Sequence, residues 1–589
     1  MTERRNHYLV DEMFKKTFTV MLIAMMSGMI CVVVDSALTG RFLGSEAMAA
    51  MGLVTPATTI MMAIMSLVAT GIGQLCTRSM GKADIEQVNR IFSTLVICTA
   101  VLCFITGIVV FFCAPVIAQS LGSKAGSEVI SLTERYLRGY AFNLVPLGIA
   151  VNINSVMVLD NDQKRCIKYA FTVFLADVIL DLLNVYFIHL GMLGMALATS
   201  LSSVAGLFVL LFHFKQEGHL IHFSFKTTDF SCLGEAVFIG MANTINQLST
   251  TFRTFFINNI LLIVSGDTAL AALAVSSSVF ALLISLFSSL LSVTSTVMNL
   301  SYGEEDRNSI ERTLYVSLRF GYTVGAVVFV MLFIFAGPVS HIFLKGSDGE
   351  VLAQATRFVR CYSVQNFLTL ISYSMGGSFM GTKNVKLNYL LCVLRDAIFP
   401  VACTAAGGFM FGIRGVEAGV IISGVLTMVT SILIPCIMNR RIPKSLNGLL
   451  ILPESFTPEE GEMFEASMST AEDVAEVSSK VQEYCLVRGE DKKTALFVSL
   501  FVEEMAGNTV RHGFEKKKAG LIELKLIMRK DKRMIRLRDN GMSFDPIKWL
   551  EINNQGNKED NIGIRMIVGL AKEINYLPSM GLNNIVVML

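Results

Sequence analysis

The sequence predicts a polytopic α-helical membrane protein, with 12 transmembrane helices in two parallel six-helix repeats, followed by a C-terminal α/β sandwich domain. Three observations predict it. Of the 589 residues 53% are hydrophobic and only 16% charged, with 40 Phe and 32 Met, a composition far from that of a soluble enzyme. Apolar stretches of about 20 residues or more, long enough to cross a hydrocarbon core, recur until Asn439 and then stop. Positions in the second six stretches match positions in the first six at a constant offset of 222 residues.

The first set of apolar spans falls near residues 18–38, 47–75, 91–113, 138–159, 167–188 and 192–214. The second falls near 236–264, 269–300, 314–336, 360–380, 387–411 and 416–438, before the basic stop NRRIPK at Asn439 to Lys444. Lys and Arg gather in alternate loops, at Arg4 and Arg5, Lys15 and Lys16, Arg78 to Arg90, Lys164 to Lys168, Arg307 and Arg312, Lys383 and Lys386, and Arg440 to Lys444. The positive-inside rule then puts both termini and the C-terminal domain in the cytoplasm of a multi-pass protein of the cell inner membrane. The N-terminal segment is expected to be retained, because the apolar run after it is too long for a signal-peptide core. The 12 cysteines are scattered singly, which points to neither a disulfide framework nor a zinc site. A formal net charge of +2 gives no signal for nucleic acid, and none is expected as a partner.

The repeat pairs Ala47 with Ala269, Gly81 with Gly303, Asp84 with Asp306 and Arg90 with Arg312. Six spans separate equivalent positions, so the halves share one orientation and a cavity between two lobes follows. Asp35 lies inside the first apolar span, where an ionisable group is costly and normally faces protein interior or water. Asp177 and Asp181 stand at i and i+4 of the fifth span, on one helix face, with Asn184 about one turn beyond. Shifted by 222, these four positions become Ile257, Phe399, Cys403 and Ala406, so the intramembrane carboxylates are expected in the first lobe only. Carboxylates so grouped can share a proton or a metal cation. Arg253 is expected to be the one basic residue well inside the second lobe's helices, open between snorkelling or pairing with a carbonyl and a functional role.

On the stretches VVVDSALTGRFLGSEAMAAMGLVTP and DVILDLLNVYFIHLGMLGMALATS, and on the six-plus-six repeat, residues 10–440 resemble the multidrug and toxic compound extrusion (MATE) family of cation antiporters. The resemblance implies a proton or sodium site in the first lobe, formed here by Asp35, Asp177 and Asp181 with Asn184. Asp177 stands where many relatives carry Asn, which leaves proton and sodium both open. A small-molecule substrate, amphipathic and cationic, and the lipid bilayer are the partners implied.

Residues 446–589 read as a soluble domain in which the strand patterns LLILP, GLIELKLIM, MIRLRD and NNIVVML alternate with helices near 471–488, 491–511 and 563–575. The chain contains no G-x-x-x-x-G-K-[ST]. FVEEMAGNTVRHGF places Glu504, Asn508 and His512 on successive turns, RLRDNGMSFDP puts Asp539 and Gly541 after a strand, and NIGIRMIVGLAKEINY starts a helix at Gly563. An amide can ligate magnesium, a carboxylate can take a proton, and a helix start offers amides to phosphate. In order and spacing these pieces resemble the GHKL ATP-binding fold, closest to the anti-sigma-factor serine kinases. The resemblance implies ATP with magnesium: Asn508 on the metal, Glu504 as general base, Asp539 on the adenine amine, Gly541 against the ring and Gly563 at the phosphates. Ser543 stands where a second glycine is common, and a lid is expected between Asp545 and Gly563.

The division is then 1–222 for the first lobe, 223–444 for the second and 445–589 for the ATP-binding domain. The function expected is export of amphipathic, cationic compounds against proton or sodium entry, regulated by nucleotide. The competing readings are a dedicated lipid-linked or metabolite flippase, and a membrane-tethered serine kinase or signalling switch with a cytoplasmic protein partner. Whether the appended domain hydrolyses or transfers phosphate is left open.

Overall fold

The computed structural model describes residues 8–122, 126–215, 219–265, 267–343, 349–443, 445–453, 456, 462–514, 520–529, 533–552 and 562–589. Its membrane portion runs α1 Tyr8–Leu38, α2 Ser45–Gly81, α3 Ile85–Leu121, α4 Ser127–Ala141, α5 Leu144–Met157, α6 Gln163–Leu183 and α7 Met192–Leu211. It continues as α8 Leu233–Ser265, α9 Asp267–Gly303, α10 Arg307–Ile334, α11 Ala336–Phe343, α12 Gly349–Gly381, α13 Val385–Val393 and α14 Phe399–Asn439. Widened π-turns follow α1 at Thr39–Leu43, α6 at Asn184–Ile188 and α13 at Leu394–Ile398.

Among the described residues, nine helical stretches are long and apolar enough to cross a membrane, or ten if α4 and α5, bent by 48°, form one span. The count differs from the expected 12 for two physical reasons. The stretch Val385–Asn439 is continuous over 55 residues, yet leaves helical geometry at Phe411 and Gly412. Gly412 has φ +64 and ψ −148, a region that a Cβ excludes, and Gly407 and Gly415 then meet backbone to backbone on either side of the turn. The 33-residue helix α12 is long enough to span but too polar to qualify, because Gln354, Ser363, Gln365, Thr369, Ser372 and Ser374 are buried along it.

The two lobes pack together at the end that carries the C-terminal domain. Small residues make this possible. A Cβ on Gly81 would lie 2.2 Å from Leu300 O, and one on its repeat mate Gly303 would lie 2.2 Å from Arg78 O. Gly71 closes in the same way on Ala236, and Gly240 on Leu67. Arg78 bridges the lobes by donating to Glu235 (2.9 Å) and Asn299 (3.2 Å), and Ser295 donates to Gln74 (2.8 Å).

The C-terminal domain is a five-stranded antiparallel sheet, β1 Met463–Met468, β2 Ile522–Met528, β3 Arg533–Asp539, β4 Glu573–Tyr576 and β5 Asn583–Met588, in the order β1-β2-β3-β5-β4. Its helices are α15 Ala471–Val487, α16 Lys492–Phe501, α17 Pro546–Ile552 and α18 Ile562–Leu570. A capping box between Thr470 and Asp473 starts α15. Two expectations are corrected. LLILP is not a strand: Leu449 and Leu450 bury against Ile310 and Leu314, and the first strand is β1 further on. The last helix stops at Leu570, because Glu573–Tyr576 pairs with β5 as an edge strand. The helix expected over 491–511 continues from α16 as π-turns at Val502–Ala506 and Thr509–Gly513. Of the expected lid, residues 553–561 lie outside the described residues.

Alternation along the strands gives the sheet two unlike faces. Leu524, Leu526, Ile535, Leu537, Ile585 and Val587 form the core with α15, α16 and α18. The other face carries Glu523, Lys525, Arg536 and Arg538; the last three are buried and Glu523 is half-buried, against the membrane portion. Arg536 pairs with Glu304 (2.8 Å) and Asp306 (2.9 Å), Lys525 with Asp306 (3.3 Å), and Arg538 with Glu304. Burial pushes the Asp306 carboxyl up, but Lys525 and Arg536 outweigh it and hold it well below the usual carboxylate range. Glu523, beside them on β2, is pushed up by burial to about 8, against the opposing pull of Arg538. The same face reaches the first lobe, where Ile527, Met534 and Val586 pack with Ala83, Ile85 and Leu220, and Asn540 donates to Glu12 (2.9 Å).

Candidate functional site

The first lobe gathers three buried carboxylates at one point. Asp35 comes from α1, and Asp177 and Asp181 come from one face of α6; they are 8%, 2% and 0% exposed. One oxygen of each lies within 4.8 Å of the others. Ser27 on α1 donates to Ala170 O on α6 (3.1 Å) and pins the two helices side by side. Ser202 on α7 donates to Asp177 Oδ1 (3.1 Å). Both oxygens of Asp181 and Oδ1 of Asp35 are buried with no hydrogen-bond partner. Buried carboxylate oxygens left unmatched call for protons or a cation between them, so the donor set fits either coupling ion. Asn184 is placed differently. Its amide donates to Gly191 O (3.0 Å) and accepts from Leu190 N (3.0 Å), so it fixes the loop after the π-turn.

The second lobe is not free of carboxylates, and Arg253 is not the one basic residue inside it, which corrects both sequence expectations. Asp396 sits in the π-turn Leu394–Ile398, 4% exposed, beside Arg395 at 3%. Both Nε and Nη2 of Arg395 donate to Asp396 Oδ2, at 2.9 and 2.6 Å, and Asn246 on α8 donates to the same oxygen at 2.9 Å. Arg395 also donates to Ser372 (3.2 Å) and lies 3.9 Å over the Tyr373 ring. Arg253 on α8 stands 3.9 Å from Asp396 Oδ1. The signal that could have found this cluster was LRDAIF, two adjacent opposite charges inside an apolar run.

In the C-terminal domain the structure brings the expected residues together in two groups. Glu504 faces the start of α18 so closely that a Cβ on Gly563 would lie 2.0 Å from its carboxyl carbon. Asp539, 3% exposed at the end of β3, accepts from Gly541 N (2.7 Å) and Asn583 (2.8 Å) through Oδ1. Gly541 also lies against Gly513, where a Cβ would come within 3.2 Å of the carbonyl, and Met542 N donates to Gly513 O (2.9 Å). The helix bearing Glu504 and Asn508 therefore ends on the turn bearing Asp539. Both of its π-turns lie at these residues; such widened turns recur at functional positions because they rotate side chains out of helical register. Ser543 bonds Tyr576 OH (2.6 Å), which donates to Asn583, so the serine in place of a glycine braces the turn. Asn508 Oδ1 takes only a long bond from Arg511 (3.4 Å). A buried carboxylate at the end of β3, an amide oxygen that is barely engaged and a glycine helix start fit a nucleotide with its metal.

The MatE family model matches residues 19–183 and 239–395, and the model described as a histidine kinase-like ATPase domain matches residues 468–589. A structure titled as the outward-facing conformation of a multidrug resistance MATE family transporter of the MOP superfamily is similar, with TM-score 0.66 and 20% identity over 72% of this chain and 94% of that one. A MOP superfamily transporter from Pyrococcus furiosus gives TM-score 0.66 at 19% identity, and a MATE protein in the straight conformation 0.65 at 20%, with the same coverage. No curated protein matches the sequence. At these identities the likeness in structure is one of fold.

Proposed function

Because the chain belongs to the MatE family, we propose that this multi-pass transporter exports amphipathic small molecules in exchange for protons or sodium, with Asp35, Asp177 and Asp181 as the coupling site. The observation that carries this is the set of unpartnered, buried oxygens on Asp35 and Asp181 within reach of Asp177. Binding a cation there, or protonating the group, changes the charge buried between α1 and α6. A transporter can convert that change into a preference for one of two lobe arrangements. The boundaries proposed are 1–222 and 223–444 for the lobes and 445–589 for the ATP-binding domain, in the inner membrane with both termini cytoplasmic. In that orientation the lobes are closed on the cytoplasmic side. The amphipathic character of the cargo rests on family membership, and the acidic cluster, being the coupling site, does not fix the cargo's charge. The test is Asp35→Asn in proteoliposomes, which should insert normally and lose gradient-driven transport; undiminished transport would remove the assignment.

The C-terminal domain matches a histidine kinase-like ATPase family, and the reading proposed is that its nucleotide regulates transport without driving it. ATP with magnesium would be held by Asp539 at the adenine amine, Asn508 at the metal and the start of α18 at the phosphates, with Glu504 alongside. Bound nucleotide supplies charge and a bridge between these pieces. What supports regulation is the docked sheet. It touches Glu304 and Asp306 of the second lobe and Glu12, Ala83 and Ile85 of the first. Opening the lobes toward the cytoplasm would draw those contacts apart, so the docked domain holds the closed gate. The repeat shows the adaptation: Lys82 and Ala83 of the first lobe become Glu304 and Glu305 in the second, the acidic pair that the basic sheet face meets. Deletion from Pro453 onward should leave ion-driven transport measurable and remove any effect of nucleotide on its rate.

A further inference from the structure

We infer that the second lobe binds the phosphate of an anionic phospholipid in a cavity between α11 and α12, in the leaflet remote from the C-terminal domain. The cavity measures about 620 Å³, within the range of small-molecule sites, roughly 300–1,000 Å³. Small residues, Gly337 on α11 and Ala353 on α12, leave room in it, and its polar lining is His341 from α11 with Thr356, Arg357 and Arg360 from α12. Arg357 Nε donates to Glu417 Oε1 (2.8 Å), and Glu417 on α14 is buried, so that guanidinium is held in place with its charge matched. Arg360 is exposed; it donates through Nε to Phe333 O (3.3 Å) and lies 5.5 Å over the Phe333 ring. It has no carboxylate within ion-pair distance among the described residues, and the Nη atoms of both arginines make no hydrogen bond among them. The cavity is thus lined by one unmatched positive charge and by two guanidinium edges with N–H donors to spare, which suits an oxyanion that accepts through more than one oxygen.

The repeat shows how that charge comes to be unmatched. Arg357 and Arg360 are the mates of Arg135 and Arg138 at the 222-residue offset. In the first lobe Arg138 pairs with Glu134, one helical turn earlier, at 2.8 Å. The mate of Glu134 is Thr356. The second lobe therefore keeps both arginines and carries a neutral hydroxyl where a carboxylate would neutralise Arg360.

Depth in the membrane makes a lipid the source of the oxyanion. Helix α12 ends at Gly381, beside the segment that leads into the C-terminal domain, where Asn384 donates to Ile451 O (2.9 Å). Arg360 lies 21 residues before Gly381 on the same helix, about 31 Å at 1.5 Å per residue, against a hydrocarbon thickness of about 30 Å. It therefore stands at the far headgroup boundary. Phe333, Ile334 and Phe335, where α10 passes into α11, are 41%, 61% and 53% exposed, an apolar surface for acyl chains directly beside a cation at headgroup level. One unmatched positive charge suits an anionic headgroup better than a zwitterionic one, whose ammonium offsets its phosphate.

The experiment titrates the full-length protein in detergent with phosphatidylglycerol (anionic) or phosphatidylcholine (zwitterionic) and reads bound lipid by native mass spectrometry. The tightest phosphatidylglycerol should bind the wild type more strongly than phosphatidylcholine does. Arg360→Gln should weaken it ~10- to 100-fold, the scale of a lost charge-assisted hydrogen bond, and Arg360→Lys should fall between. Thr356→Glu, which restores the pairing of the first lobe, should weaken it as Arg360→Gln does, whereas Arg138→Gln, at the equivalent place in the first lobe, should leave it unchanged. Cooperative thermal unfolding of each lipid-free variant reports intact folding. Excess inorganic phosphate should not displace the lipid. Phosphatidylglycerol affinity unchanged in Arg360→Gln and Thr356→Glu, an equal loss in Arg138→Gln, no preference for the anionic lipid, or displacement by inorganic phosphate would overturn the lipid seat.

Discussion

Arg536→Met probes the docking of the C-terminal domain most sharply. The side chain is 5% exposed and its guanidinium pairs with Glu304 at 2.8 Å and Asp306 at 2.9 Å. Methionine keeps most of the volume and removes the charge, leaving two buried carboxylates short of a partner. Breaking a buried pair from one side costs about 3–5 kcal/mol. Lys525 stays 3.3 Å from Asp306 and Arg538 stays on Glu304, so the lower end applies. About 3 kcal/mol is a change of ~150-fold in the ratio of docked to undocked domain. The readout is a thiol at Asn584→Cys, which shares the buried face of the sheet with Arg538 and is 5% exposed. Maleimide reaches it only when the domain undocks, so its labelling rate follows the undocked fraction. Labelling should rise by ~100-fold in Arg536→Met, and ion-driven transport should speed up as the gate is released. An unchanged labelling rate would refute the argument that this network holds the domain in place.

Glu523→Gln tests the buried carboxyl beside that network. Its folded pKa of about 8 lies above its ordinary 4.5, so the docked state keeps a proton that the exposed group gives up. Stability therefore falls as pH rises from 4.5 to about 8 and levels off above, by a total on the order of 3–5 kcal/mol; thermal unfolding of the variant should lack that slope. Gly412→Ala places a Cβ at φ +64 and ψ −148 and should lower thermal stability by about 1–3 kcal/mol; no loss would mean that the turn between the last two spans is unstrained. Asn508→Ala should abolish binding of a fluorescent ATP analogue while ion-driven transport stays measurable.

Much of this architecture is legible in the sequence for simple reasons. Span length and the 222-residue offset follow from hydrocarbon thickness and from repetition, and neither depends on tertiary detail. Asp35, Asp177 and Asp181 stand out because a carboxylate inside an apolar run needs an explanation, and the structure places them together. Arg395 and Asp396 are hard to read because the apolar residues around them outweigh two adjacent charges in a hydropathy window, and because Asp396 has no acidic mate at the 222-residue offset. Their relation appears only when α8 brings Asn246 and Arg253 against the π-turn. What covers the charged sheet face is not legible for another reason: alternation shows that Lys525, Arg536 and Arg538 share a side and says nothing of what packs on it. Their partners, Glu304 and Asp306, lie more than 200 residues earlier in the chain. LLILP shows the same limit at small scale, since an apolar run reports burial and leaves open whether it is a strand.

An ion gradient acting on the Asp35 cluster is proposed to move the cargo, while ATP only adjusts the rate. Flux of a dansyl probe in proteoliposomes of the full chain, measured with a proton gradient, a sodium gradient, or ATP and magnesium with all gradients collapsed, tests it directly. Flux is expected with at least one ion gradient, is expected to be lost in Asp35→Asn, and is not expected with ATP alone. Sustained flux with ATP as the only energy source, or ion-driven flux undiminished in Asp35→Asn, would contradict it.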